Sequence, residues 1–218
     1  MAHREFKDRQ EAGTLLGAAV RAMAPVRAVV LGLPRGGVPV AAQVAEAIAA
    51  PLDVIVVRKV GVLGQPELAM GAVGEAGILV VNDDVVRITR STHAELEEVA
   101  GRERETLERS VENIRSVRPR LPLGGRTAVI VDDGIATGAT MRAAVRVARA
   151  AEAESVMVAT PVAPPSVVSE LGDEADAVVC VMQPESFGSV GRWYRHFGEV
   201  SDQEVLDLLR AAMARTAE

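Results

Sequence analysis

The chain has 218 residues, of which 49% are hydrophobic and only 2% aromatic, so one α/β domain can build its core from Val, Ala, Leu and Ile. A formal charge of −6, with no run of about five basic residues, argues against a nucleic-acid backbone as the main partner. No apolar stretch reaches the roughly 20 residues that span a bilayer, and the N-terminus lacks a hydrophobic signal core, so we expect no membrane partner and a cytoplasmic location.

Short apolar runs alternate with helical patterns along most of the chain. Strands are predicted at 28–33, 53–57, 77–81, 127–132, 155–160 and 177–182. Helices are predicted from Pro39, from Thr92 to about 116, from Gly138 or Ala139, over 163–171 and after Ser201. Strands that are apolar throughout and separated by helices are typical of a mostly parallel sheet flanked by helices. We therefore predict a single α/β domain over residues 1–218.

The stretch between the second and third predicted strands has no sustained hydrophobic period. Residues 58–77 contain five glycines and are predicted to form a long mobile loop. The acidic cluster at 82–84 has no phosphate-binding loop after it, so we interpret it as a turn.

The most informative segment is Val129-Ile-Val-Asp-Asp-Gly-Ile-Ala-Thr-Gly-Ala-Thr-Met141. A hydrophobic strand ends in Asp132 and Asp133, and a loop of small residues and hydroxyls leads into a helix. Exposed backbone N–H groups, the helix N-terminus and the Thr137 and Thr140 hydroxyls suit a phosphate monoester. The carboxylates suit the vicinal hydroxyls of a ribose, and their charge would stabilise an oxocarbenium-like cation. A purely structural alternative is an Asx-type turn that caps the helix.

This segment resembles the motif of type I phosphoribosyltransferases that binds 5-phosphoribosyl-1-pyrophosphate (PRPP). The resemblance implies that Asp132 and Asp133 are the catalytic acids and hold the ribose hydroxyls. It also implies a 5-phosphate site formed by Gly134, Ala136, Thr137, Gly138, Ala139 and Thr140. Gly134 departs from the pattern, which usually has a hydrophobic residue there.

A wider resemblance covers nearly the whole chain. The segments beginning at Phe6, Leu33, Val57, Gly64 and Phe187 resemble those of a bacterial group of phosphoribosyltransferases whose acceptor is generally unassigned. The resemblance implies a type I fold with a small hood from residues 1–25 and 183–218 and a helical insertion at about 92–116. The aromatic residues of 183–194 are interpreted either as a satellite hydrophobic cluster or as part of the hood over an acceptor.

The resemblance also implies a pyrophosphate site formed by Arg35, Gly36, Gly37, Arg58 and Lys59. In the family the loop corresponding to 34–37 often holds an unusual peptide bond. The alternative is a structural glycine turn. The segment 61–74 would be a lid over PRPP, with Glu67 as a candidate contact to acceptor or metal.

We therefore expect a transferase that moves a 5-phosphoribosyl group from PRPP to a nucleobase-like or other nitrogen acceptor. The alternatives are a non-enzymatic PRPP or nucleotide sensor and a phosphoribosyl-ester hydrolase. The expected cofactor is Mg²⁺ bound mainly through PRPP, with no direct protein ligand. The expected partners are PRPP and a small-molecule acceptor, without nucleic acid. The sequence is compatible with either a homodimer or a monomer.

Overall fold

The computed structural model describes residues 5–216, except the side chains of Pro66, Glu67 and Thr216, so the candidate contact at Glu67 and the hood residues 1–4 and 217–218 lie outside it. The elements in chain order are α1 (Arg9–Ala22), β1 (Ala28–Gly32), α2 (Gly37–Ala47), β2 (Leu52–Val54), β3 (Val57–Val62), β4 (Gln65–Gly74), β5 (Leu79–Val81), α3 (Asp83–Thr89), α4 (His93–Val117), β6 (Thr127–Val131), α5 (Ala139–Ala150), β7 (Ser155–Val162), α6 (Pro165–Gly172), β8 (Ala177–Met182) and α7 (Asp202–Thr216). A 3₁₀ turn lies at Val190–Trp193.

The central sheet has five parallel strands in the order β2-β1-β6-β7-β8. Side chains alternate between its two faces. Val30, Val129 and Val131 pack with α1, α2 and α7, whereas Val29, Leu31 and Ile130 pack with α5 and α6. A mostly parallel sheet flanked by helices is therefore confirmed as the fold class.

A second sheet replaces the loop predicted at 58–77, and a helix replaces the turn predicted at 82–84. Residues 58–77 are not an irregular loop, because β3 and β4 form an antiparallel hairpin and β5 pairs with β4. The strand predicted at 77–81 accordingly belongs to this second sheet. The turn predicted at 82–84 is also wrong, since the Asn82 side chain accepts a hydrogen bond from the Val85 N–H and caps helix α3.

The helical insertion supports this hairpin. Helix α4 starts at the predicted capping box, in which Thr92 and Glu95 exchange hydrogen bonds. Its apolar stripe packs on the hairpin residues Val60, Met70 and Val73. At its C-terminal end Arg115 forms ion pairs with the buried Asp53 and with Glu75, which ties the helix to β2 and to the segment after β4.

Helix α1 is not among the elements that the sequence pattern predicts. Gly13 and Gly17 lower helix propensity, but both lie at the contact with α2. A Cβ atom added at Gly17 would lie 2.7 Å from the Ala47 Cβ, and one added at Gly13 would lie 2.8 Å from the Gln43 Cβ. The glycines therefore allow the close approach of the two helices.

The N-terminal segment and the tail, residues 183–201, meet at one end of the sheet. Phe6 pairs with Tyr194 in an isolated parallel bridge and packs with Phe187 and Trp193. Within residues 5–216, every helix falls short of the length and apolarity needed to cross a membrane.

Candidate functional site

The acid pair lies directly after β6, at the carboxyl edge of the central sheet. The Asp133 N–H donates a 2.9 Å hydrogen bond to Asp132 Oδ1. The Asp133 Oδ2 atom accepts a 2.8 Å hydrogen bond from Arg9 Nε, and the Asp133 carbonyl accepts one of 2.5 Å from the Tyr194 hydroxyl. Both ends of Asp133 are therefore held by residues that lie outside the motif.

The two acids have different electrostatic surroundings. Burial, together with the charge of Asp133, raises the pKa of Asp132 to about 8. Burial also raises the pKa of Asp133, but the hydrogen bond and positive charge of Arg9 oppose that rise. Of the two carboxyls, Asp133 therefore favours the ionised form more than Asp132 does.

The loop after the acids exposes an unused set of donors. The described residues supply no hydrogen-bond acceptor to the backbone N–H groups of 137–140, which precede and begin helix α5. Gly138 has a φ of 74°, which favours glycine, and Arg142 Nη2 donates a 3.0 Å hydrogen bond to the Thr137 carbonyl. Thr137 and Thr140 are exposed. The arrangement suits an oxyanion at the helix N-terminus.

The glycine turn between β1 and α2 packs directly on the acids. The Pro34–Arg35 peptide bond is cis. A Cβ atom added at Gly36 would lie 2.2 Å from Asp133 Oδ2, and one added at Gly37 would lie 2.9 Å from the Asp132 Cα. The Gly37 N–H donates to the Leu33 carbonyl, so it closes the turn itself. Gly36 and Gly37 are thus required for contact between the loops.

Arg35 faces the tail and the last helix. Its Nη2 atom lies 2.6 Å from Glu199 Oε1, and its Nη1 atom lies 3.7 Å from Asp202 Oδ1. It also lines a cavity of about 250 Å³ between α4 and α7. Because these ion pairs are largely exposed, a more highly charged anion can compete for the guanidinium.

Arg58 and Lys59 lie on β3, in a different cleft from Arg35. They line a space of about 700 Å³ between the hairpin and α4, and Thr140 of the loop before α5 lines the same space. Arg58 pairs with Glu103 of α4 at 2.5 Å. The structure thus places Lys59 beside the 137–140 loop, whereas the sequence grouped it with Arg35.

The tail aromatics pack on one another. Phe187, Trp193 and Tyr194 are buried, and Trp193 Nε1 donates a 3.0 Å hydrogen bond to the Phe187 carbonyl. This agrees with the interpretation as a satellite cluster. Sequence reasoning missed the contacts of Arg9 and Tyr194 with Asp133, although both residues lie in the two segments that carried the wider resemblance.

The acid pair leaves two carboxyl oxygens open to a ligand. Within the described residues, Asp132 Oδ2 and Asp133 Oδ1 accept no hydrogen bond from another residue. Over the same range, no three His, Cys, Asp or Glu side chains cluster as a metal site. Mg²⁺ prefers oxygen ligands and keeps several waters, so the site fits an ion that is held by the oxygens of a phosphorylated ligand, without a direct protein ligand.

Comparison with known proteins agrees with this geometry. Residues 10–191 match the family model described as phosphoribosyl transferase domain. Two curated Mycobacterium tuberculosis proteins, each named "Putative phosphoribosyl transferase", are 50% identical over 213 residues, which cover 98% of this chain and 48% of each relative. The chain thus spans about half the length of these relatives. The crystal structure of TT1426 from Thermus thermophilus is 45% identical, with a TM-score of 0.90, and covers 95% of this chain and 98% of that one.

Proposed function

Because this chain belongs to the phosphoribosyl transferase domain family, we propose that it binds PRPP and transfers the 5-phosphoribosyl group to a nucleobase-like or other nitrogen acceptor, releasing pyrophosphate. One observation supports this most directly. The acid pair and the loop of open N–H groups follow one strand, and the glycine turn of the neighbouring parallel strand packs on the acids. A ribose that carries phosphates at both ends needs such a pair of loops.

The proposal assigns the 5-phosphate to the loop before α5. The open N–H groups at 137–140, the exposed Thr137 and Thr140 hydroxyls and the helix dipole all favour an oxyanion there. Gly134 and Ala136 shape the start of this loop, and Gly138 and Ala139 present their backbone. Lys59 lines the adjoining cleft, so its positive charge acts at this end of the ligand.

The acids are assigned to the ribose and to the positive charge that develops at C1. Asp133 Oδ1 and Asp132 Oδ2 are the oxygens left to accept hydrogen bonds from ribose hydroxyls. An ionised Asp133 also stabilises an oxocarbenium-like transition state as the bond to pyrophosphate breaks. The nitrogen acceptor then bonds to C1 and loses a proton, and pyrophosphate leaves with the electron pair of the broken C–O bond.

The pyrophosphate is assigned to the turn at 34–37, with Arg35 as its charged contact, whereas Arg58 lines the cleft of Lys59 instead. Arg35 must exchange Glu199 and Asp202 for phosphate oxygens, which is feasible because the present pairs are exposed. Mg²⁺ bound through PRPP would supply positive charge that offsets the charge developing on pyrophosphate.

The test is pyrophosphate release from PRPP with Mg²⁺, with and without a panel of nucleobases and amines. A transferase releases pyrophosphate only when its acceptor is present. Release without any acceptor indicates a hydrolase, and binding without release indicates a sensor. Either result would overturn the proposed transfer.

PRPP binding to Asp133→Asn, measured by calorimetry, tests the site. Each lost charge-assisted hydrogen bond should weaken PRPP binding by about 1.5–3 kcal/mol. Asp207→Asn, an exposed acid on α7, is the matched control. Equal PRPP affinity of Asp133→Asn and the wild type would remove the ribose assignment.

A further inference from the structure

Arg9 is the first residue of α1 and lies far from the acid pair in sequence, yet its contacts hold one member of that pair. Its Nε atom donates to Asp133 Oδ2 at 2.8 Å, and its Nη1 atom donates to the Gly198 carbonyl at 2.7 Å. Its guanidinium carbon lies 4.0 Å from the centre of the Phe197 ring. The Arg9 and Asp133 side chains are only 13% and 12% exposed, so this pair is shielded from solvent.

Asp133 is bound on one side only. Arg9 occupies Oδ2, the turn at Gly36 packs against the same oxygen, and no other described residue donates to Oδ1. The Tyr194 hydroxyl fixes the backbone of the same residue by donating to its carbonyl. The carboxyl plane is therefore set by the N-terminal helix and the tail, and one oxygen is left for a ligand.

We infer that Arg9 is a positioning residue, which orients Asp133 through Oδ2, keeps its charge and leaves Oδ1 for the ribose of the substrate. This inference rests on the proposed function, which it deepens. Arg9 links the N-terminal helix and the tail to the acid, because it contacts Asp133 while Phe197 and Gly198 hold the Arg9 guanidinium. An arginine is required, since a single planar guanidinium must donate to both Asp133 and Gly198 and also stack on the Phe197 ring.

The charged surroundings of Asp133 explain why this contact matters. The titratable groups that face it are Asp132 from its own loop, Arg9 from α1 and Tyr194 from the tail, and the turn packed on it contributes Gly36. Arg9 is the only cation among these described groups. Without it, burial would favour a protonated Asp133, which could no longer stabilise positive charge at C1.

The first test needs no substrate. The carboxyl carbons of ¹³C-labelled aspartate are followed by NMR against pH in the free wild type, Arg9→Gln, Arg9→Lys and the control Arg21→Gln. Arg21 lies on the same helix and donates to the Ala47 carbonyl instead. The Asp133 midpoint should move to higher pH in Arg9→Gln, move less in Arg9→Lys and stay unchanged in Arg21→Gln. An unchanged Asp133 midpoint in both Arg9 variants would overturn the inference.

The second test measures transfer, or PRPP binding where the acceptor is unidentified. Arg9→Gln should lower kcat, or PRPP affinity, roughly tenfold or more and shift the acidic limb of the pH profile upward, with partial rescue by Arg9→Lys. A uniformly lower active fraction with an unshifted profile would mean that Arg9 only stabilises the fold. A wild type that does not bind PRPP would refute the proposed function, while the NMR titration would still decide the role of Arg9. Should Arg9→Gln fail to fold, Arg9→Lys carries both tests because it retains the charge.

Discussion

At the scale of single residues, the site depends on two acids whose ionisation is set by different neighbours. Asp132 has the charge of Asp133 beside it and no direct basic partner among the described residues, so burial keeps it protonated to about pH 8. Asp133 has Arg9 at 2.8 Å, which favours its charge. A substrate that brings a metal ion and hydroxyl donors would favour the ionised form of Asp132. In the free protein this carboxyl has a pKa far from its usual value, as is typical of functional sites.

The raised pKa predicts a cost in stability. The folded protein keeps a proton on Asp132 that the unfolded chain releases above about pH 4, so the stability of the wild type falls as pH rises from there toward 8. Asp132→Asn cannot ionise and still accepts the Asp133 N–H. It should be more stable than the wild type by about 2 kcal/mol or more at pH 8, with a smaller difference near pH 5. Urea unfolding at several pH values measures this, and a pH-independent difference would contradict it.

Gly134 gives a second prediction at this scale. The family pattern has a hydrophobic residue there, but a Cβ atom added at Gly134 would lie 2.4 Å from the Val190 Cγ1 atom, so the tail already fills the space. Gly134→Ala should destabilise the fold by about 1–3 kcal/mol, and Val190→Ala in the same chain should recover part of that loss. Thermal unfolding of the single and double variants measures the coupling.

The matched control for that experiment is Gly101→Ala. Gly101 lies on α4, and a Cβ atom added there meets nothing within 4 Å. Because alanine is the better helix former, this variant should be neutral or stabilised by up to about 1 kcal/mol. Equal destabilisation by the substitutions at 134 and 101 would contradict the proposed crowding by Val190.

At the scale of elements, sequence reasoning succeeded where local signals agree with the final environment. The start of α4 at Thr92 and the start of α7 after Ser201 followed from capping boxes, and the Thr92 and Ser201 side chains both accept the expected backbone N–H. It failed where tertiary contacts override local signals. The glycines of α1 are explained only by its contact with α2. The glycines of β4 led to the prediction of a loop, whereas the segment is a strand that packs against α4.

The hairpin gives the prediction at this scale. Residues 57–60 pair with 71–74 and pack on α4, so their paired amides should exchange slowly in the free protein. The turn at 63–64 should exchange fast, since Leu63 and Gly64 are exposed and the ladder is irregular beyond Val60. Hydrogen exchange followed by mass spectrometry tests this, and fast exchange over all of 57–74 would restore the mobile loop that the sequence predicted.

At the scale of the whole molecule, the parallel sheet explains why part of the site could be predicted. Two loops that follow neighbouring parallel strands must open at the same edge, and Gly36 indeed contacts Asp133. The partners of those loops come from elements whose placement the sequence did not reveal. The second sheet places Lys59 beside Thr140, and the tail places Glu199 beside Arg35.

This placement predicts which end of the ligand each cation serves. Lys59→Ala should weaken binding of ribose 5-phosphate, as Thr140→Val should, because both residues line one cleft. Arg35→Ala should instead weaken binding of pyrophosphate, by roughly tenfold. Glu199→Gln should strengthen pyrophosphate binding severalfold, since it removes a carboxylate that competes for Arg35.

Competition binding of pyrophosphate and ribose 5-phosphate to these four variants separates the alternatives, with Arg87→Ala on α3 as an exposed control. A loss of pyrophosphate binding in Lys59→Ala, with ribose 5-phosphate unaffected, would return Lys59 to the group that the sequence indicated. Equal weakening of both ligands by Arg35→Ala and Thr140→Val would mean that the two loops form one undivided anion site. The glycine turn at 34–37 would then act only to bring its strand against the acids, which is the role that Gly36 and Gly37 already have in the structure.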